Sequence, residues 1–248
     1  MPKTISTTHL SLFVTQDSPS MAEVAAALIF EEAKKAIAER GVFTLAISGG
    51  KTPIPLFNLL ATPEYQNAID WRKTVVFWVD ERCVGPDHEE SNYGVARKAL
   101  LSRADITSYH RIRGEEGPEK ASRLYEQQLE DYFKLPIGEM PRFDCIHLGV
   151  GSDGHTGSLF WEDPGLQVKD RICIPVAPNS YTKRSRVTLT LPVLNNARCC
   201  IVMADGREKH HVLTTALNLM AAPQLPAQHV RPHDGRVCWV VDEAAFNG

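Results

Sequence analysis

Apolar positions along the chain fall into two alternating rhythms. Short, nearly unbroken runs alternate with longer segments in which apolar residues recur every third or fourth position. The run HLSLFVT (9–15) predicts a strand. PSMAEVAAALIFEEAKKAIAER (19–40) predicts a helix with Met21, Val24, Ala25, Leu28 and Ile29 on one face and Gly41 as its stop. VFTLAIS (42–48) is a strand, PIPLFNLLAT (53–62) a helix, TVVFWVDE (74–81) a strand ending in two carboxylates, and NYGVARKALL (92–101) a helix. A longer helix covers 117–133, and FDCIHLGV (143–150) is again a strand. Strands at 186–191 and 199–205, a helix from about Arg207 to Met220, and a last strand at 236–242 complete the series. The Pro- and His-containing stretch 221–235 reads as an ordered surface connection.

Strand–helix alternation with β-rich, almost wholly apolar strands predicts an α/β fold: a mainly parallel sheet with helices on both faces. Without repeats, low-complexity tracts or a Gly/Ser linker, the 248 residues are expected to form a single domain, 1–248. In such sheets ligands sit off the carboxyl ends of the strands. The segments to inspect are therefore SGGKTP, DERCVGPDHEESNYG, GVGSDGHTGSLF and ADGREK.

Composition narrows the partners. A formal net charge of −3, from 27 basic and 30 acidic residues, gives no reason to expect nucleic acid or an anionic membrane surface. No apolar stretch approaches the roughly 18 residues of a membrane helix, and the N-terminus lacks a signal-peptide pattern. The six cysteines form no CxxC and lie mostly in apolar runs, which suits free, buried thiols in a reducing cytoplasm. A cytoplasmic protein, monomeric or weakly dimeric, is the expectation.

The glycine segments carry the chemistry. Gly50-Lys51-Thr52 resembles the end of an ATP-binding loop, but that pattern needs a glycine at position 45, which is Leu45, and Pro53 follows at once. What survives is a phosphate cradle. Ser48, Gly49 and Gly50 offer N–H groups and a hydroxyl, Lys51 a charge, and Thr52 an N-cap before Pro53 at a helix start. Asp80, Glu81 and Arg82 close a strand where paired acids need satisfying. Ser91 or Asn92 reads as a helix N-cap. GVGSDGHTGSLF places Asp153 and His155 in a glycine turn after a buried strand, an arrangement suited to acid/base work. Lys183, Arg184, Arg186 and Lys209 supply cations that suit a phosphate. HExxH, GxSxG and EF-hand patterns are absent, so no metal, serine nucleophile or cofactor is expected.

Taken together, SGGKTP, VDER…DHEESNYG, LGVGSDGHTGSLF, SRVTLTLPVLNNAR…ADGREK and the ending LPAQHVRP…GRVCWVVDEAA resemble the 6-phosphogluconolactonase family from about residue 10 to 246. The resemblance implies a modified doubly wound, Rossmann-like α/β fold shared with glucosamine-6-phosphate deaminase, and hydrolysis of a sugar-phosphate lactone, 6-phosphoglucono-1,5-lactone. It further implies that Ser48, Gly49 and Gly50, completed by Arg186 and Lys209, hold the 6-phosphate. His155 would be the general base, Asp153 or Asp80 would orient the site, and Arg82 would stabilise the oxyanion. Lys51 departs from the small polar residue usual there, and WEDPGL replaces a Pro-Gly-rich turn. Glu162 in that segment invites comparison with the deaminase, whose DGHIAFNEP carries a catalytic carboxylate. DGHTGSLF and DER, where the deaminase has DEY, fit the lactonase better. A sugar-phosphate-binding protein without catalysis is the third reading.

Overall fold

The computed structural model describes residues 3–7, 9–104, 106–161, 163–218 and 225–248. Its main sheet has eight strands: β1 (Lys3–Ser6), β2 (Leu10–Thr15), β3 (Phe43–Ile47), β4 (Thr74–Trp78), β6 (Tyr109–His110), β7 (Cys145–Gly149), β10 (Cys199–Ala204) and β11 (Arg236–Asp242). Their spatial order is β1-β2-β11-β10-β7-β3-β4-β6, parallel throughout except for β1 against β2. A second sheet joins β5 (Asp80–Arg82), β9 (Arg186–Leu189) and β8 (Cys173–Val176), all antiparallel. The mainly parallel α/β expectation is met.

The apolar runs become strands because nearly every side chain on them is buried; β3, β4 and β10 have no exposed residue. Helix α1 (Ser18–Arg40) starts at Asp17, whose carboxylate accepts the Ser20 N–H, and stops at Gly41 in the left-handed region. Met21, Ala25 and Ile29 are fully buried, whereas Val24 and Leu28 lie at the margin of the core. Helix α2 (Ile54–Leu60) is followed by α3 (Pro63–Ala68), a short helix outside the predicted set. The predicted helix 92–101 is α4 (Asn92–Ala96) continued by a wider π-type turn, Arg97–Leu101. Helix α5 (Pro118–Phe133) agrees with its expected range.

Three departures matter for the site. The expected strand 74–81 breaks at Val79: Thr74–Trp78 stays in the main sheet while Asp80–Arg82 crosses to the second. Val79 joins the two, donating its N–H to Ile47 O (2.9 Å) and accepting the Leu189 N–H (2.8 Å). The run 186–191 stops at Leu189 and enters α6 (Leu191–Asn195). The predicted helix at 207–220 begins as a 3₁₀ turn, Arg207–Lys209, before α7 (His210–Leu217); Met220 lies outside the described residues. Of the connection 221–235, the described part forms a 3₁₀ turn at Pro226–His229 and leads to β11, after which α8 (Glu243–Asn247) ends the chain.

Strand order reverses between β3 and β7. From β3 the chain adds β4 and β6 on one side, then returns to add β7, β10 and β11 on the other. A crevice opens at such a reversal, off the carboxyl ends of the two strands. Those ends are Ile47 and Gly149, immediately before SGGKTP and GVGSDGHTGSLF.

Candidate active site

A cavity of about 160 Å³ occupies that crevice. Its wall includes Ser48, Gly49, Gly50, Lys51 and Thr52 from the loop after β3, and Asp80 and Arg82 from β5. Asn92, His147, His155 and Arg186 complete the polar part of the lining. Four segments far apart in sequence thus meet at one end of the sheet. Lys209 does not line this cavity. It ends the 3₁₀ turn that follows Asp205.

The loop after β3 behaves differently at its two ends. Ser48 is buried; its Oγ donates to His147 O (3.1 Å) and its N–H donates to His147 Nδ1 (3.4 Å). The hydroxyl and amide expected to face a phosphate are thus engaged with His147 in this structure. Among the described residues, no acceptor takes the N–H groups of Gly49, Gly50 or Lys51. Three adjacent unpaired donors at a cavity wall suit an anion. Thr52 is no N-cap: the cap position is Pro53, without a side-chain hydrogen bond, and Thr52 Oγ1 donates to Asp205 (2.7 Å). That bond ties the loop to the segment after β10. The Lys51 side chain is exposed.

The acids of DER are not a solvated strand end. Glu81 is buried and accepts the N–H groups of Arg82, Asn92 and Tyr93 at 2.7–2.8 Å, together with Ser91 Oγ (3.0 Å). Burial pushes its carboxyl up, and the three backbone donors pull it back only in part. Its task is to fix the turn that starts α4, where Ser91 accepts the Gly94 N–H as expected of an N-cap. Asp80, also buried, accepts Ser158 Oγ (2.6 Å) and the Asn92 Nδ2 (3.2 Å), with Arg186 Nη1 at 3.8 Å. Arg82 donates to Glu90 O (2.7 Å), and among the described residues it has no ion pair. Its Nε is buried without a partner.

Asp153 Oδ1 lies 2.5 Å from His155 Nδ1 and also accepts the His155 N–H (3.3 Å). Burial raises the Asp153 carboxyl, but the hydrogen bonds and the partial charge of His155 outweigh this and hold it below the ordinary value. Of the two acids considered for orienting the histidine, Asp153 is in place; Asp80 is committed elsewhere. Gly151 is required here, since a Cβ would stand 2.1 Å from His155 Nδ1 and 2.3 Å from Asp153 Oδ1. Phe160 packs on the imidazole with ring centroids 4.8 Å apart, and the Arg186 guanidinium lies over the same Phe160 ring at 5.9 Å. Burial lowers the Arg186 pKa, Asp80 opposes this, and Arg82 adds to it; the guanidinium remains cationic.

Two lining residues escape a sequence reading. Asn92 looks like part of a helix cap, and His147 looks like a lone histidine in an apolar strand. Yet Asn92 spans from Asp80 to the face of Gly49, and His147 holds Ser48. The only available signal is the histidine within the apolar run FDCIHLGV; Asn92, in the polar stretch DHEESNYG, gives none. Glu162 lies outside the described residues. Among the described residues, no three of His, Cys, Asp and Glu gather as a metal site.

The sequence profile described as Glucosamine-6-phosphate isomerases/6-phosphogluconolactonase matches residues 16–239. The chain belongs to this family. Among its relatives, a Synechocystis 6-phosphogluconolactonase is 40% identical over 215 residues, covering 85% of this chain and 86% of that one. The human 6-phosphogluconolactonase is 38% identical over 236 residues, covering 94% and 91%. Among solved structures of the family, the 6-phosphogluconolactonase from Trypanosoma brucei superposes with a TM-score of 0.85 at 26% identity, covering 95% of this chain and 97% of that one.

Proposed function

We propose that this chain hydrolyses 6-phospho-D-glucono-1,5-lactone to 6-phospho-D-gluconate, the second step of the oxidative pentose phosphate pathway. The relatives that carry this activity in their names support the substrate. The observation that carries the chemistry is that His155, held by Asp153 at 2.5 Å, lines the same cavity as a loop with three unpaired N–H groups.

Asp153 holds the proton on Nδ1, so Nε2 of His155 is the lone pair left for a substrate-side proton. A water deprotonated by Nε2 attacks the C1 carbonyl. The negative charge forming on the carbonyl oxygen is met by Arg82, whose guanidinium has no competing carboxylate, a donor position worth on the order of 10²–10³ in rate. Collapse breaks C1–O5, and the proton on His155 passes to the ring oxygen as it leaves. The product acid then ionises, releasing one proton to solution. The 6-phosphate sits on the Gly49, Gly50 and Lys51 N–H groups with Arg186 as counter-charge. Lys209 joins only by reaching in from beyond the lining.

This needs neither metal nor cofactor, and we take residues 1–248 as one domain, with Val79 bonded to both sheets in support. No helix among the described residues is long and apolar enough to cross a membrane. The expected setting remains cytoplasmic, with the chain monomeric or weakly dimeric. The test generates the lactone freshly with glucose 6-phosphate and its dehydrogenase and follows acid release. No acceleration over spontaneous hydrolysis by the purified protein would sink the assignment. Turnover of glucosamine 6-phosphate would favour the deaminase instead.

A further inference from the structure

His147 is the fully buried member of the cavity lining, inward-facing on β7, where an apolar residue would pack as well. It holds Ser48 twice: the His147 carbonyl accepts the Ser48 hydroxyl at 3.1 Å, and ring Nδ1 accepts the Ser48 N–H at 3.4 Å. The Phe57 ring meets the imidazole edge-on, with centroids 6.1 Å apart. Nε2 has no partner among the described residues. An amide N–H can be accepted only by a bare ring nitrogen, so the ring must be neutral with its proton on Nε2. Burial favours that state, pulling the pKa down to about 4.

Ser48 is where β3 ends and the phosphate loop begins. With both of its donors taken by His147, the first N–H groups free to turn toward an anion are those of Gly49 and Gly50. We propose that His147 is a positioning residue of the phosphate loop: its Nδ1 accepts the Ser48 amide and thereby sets the direction in which the Gly49 and Gly50 donors face the substrate phosphate. The proposal rests on the loop's role as phosphate cradle.

Two substitutions separate positioning from packing. His147→Leu keeps the bulk and removes the acceptor. His147→Asn places a carboxamide oxygen close to where Nδ1 stands. On freshly made lactone, His147→Leu is expected to raise KM about tenfold, the loss of about one hydrogen bond's worth of binding, with kcat within about threefold. His147→Asn recovers most of that loss. In uniformly ¹⁵N-labelled protein, long-range ¹H–¹⁵N spectra should show His147 as the Nε2–H tautomer. Inorganic phosphate should then shift its Nδ1 and the Ser48 amide saturably.

An unchanged KM in His147→Leu overturns the proposal, as does a His147→Asn variant as impaired as the leucine variant, or an Nδ1–H tautomer. If His147→Leu does not fold, the asparagine variant and the tautomer still decide. If the protein fails to hydrolyse the lactone but inorganic phosphate still binds, and binds about tenfold more weakly to His147→Leu, the lactonase reading falls and this one stands.

Discussion

The carboxamide oxygen of Asn92 stands where a side chain on Gly49 would have to begin, 1.9 Å from the position of a Cβ there. The other end of the same carboxamide donates to the Asp80 carbonyl (2.8 Å) and carboxylate (3.2 Å). One side chain therefore spaces the glycine loop after β3 from the strand that carries Asp80 and Arg82. Gly49→Ala must push the loop or Asn92 aside, and a rise in KM of at least about tenfold is expected. Adding Asn92→Ala should restore room, so the double variant loses less than the two singles combined, with a coupling of about 0.5–3 kcal/mol. Strict additivity in steady-state kinetics would show that the two residues do not share this space.

The Asp153–His155 pair makes a different signature. His155→Ala is expected to lower kcat by about 10²–10⁴ with little effect on KM, because a general base acts in the transition state. Asp153→Asn leaves the base present but poorly oriented, so its kcat falls less, by about tenfold. A larger effect from Asp153 than from His155, on the same lactone assay, would reverse their roles.

Arg186 should act on binding. Arg186→Ala removes a half-buried cation that lines the cavity and lies 3.8 Å from Asp80. KM should rise by about 10–100-fold with kcat within a few-fold, and Arg186→Lys should restore only part of it, since a point charge lacks the fork geometry. A loss confined to kcat would move Arg186 from the phosphate to the reacting carbonyl.

The buried His147 also predicts a pH dependence of stability. Its folded-state pKa is about 4, against roughly 6.5 in an unfolded chain. Below pH 6.5 the unfolded chain binds a proton that the folded protein refuses. The stabilisation is therefore complete above pH 6.5 and declines toward pH 4, by about 1.4 kcal/mol per pH unit. Burial lowers His110 and His229 in the same direction, so the wild-type slope contains their share. Urea denaturation of wild type and His147→Asn at pH 7, 6 and 5 isolates the difference. Parallel slopes would show that His147 does not titrate this way.

The sequence displays the main sheet because β3, β4, β7, β10 and β11 are buried on both sides and so read as apolar runs. It also displays the Asp153–His155 turn, since glycines and two titratable groups after a buried strand leave few other uses. The second sheet stays hidden. Asp80–Arg82 is a strand of charged residues whose pairing with Arg186–Leu189 depends on partners about a hundred residues away. The division of labour among acids is hidden for the same reason. Asp80, Glu81 and Asp153 are alike as letters, and only their neighbours decide which caps a turn, which holds a network and which orients a base. Ser48 misleads because a hydroxyl beside two glycines looks like a phosphate donor until His147 is seen to take it.

Val79 gives the site a mechanical property. The residue before Ser48 and the strand carrying Arg186 both hydrogen-bond to this one residue, the first to its N–H and the second to its carbonyl. The glycine loop after β3 and the strand of Arg186 are therefore fastened to a common rivet, and the two are expected to melt together. Local unfolding of the small sheet would loosen the loop in the same event. Amide exchange at Val79 and Leu189 should accordingly run at one shared rate, close to that of global opening, making the binding site a single cooperative unit.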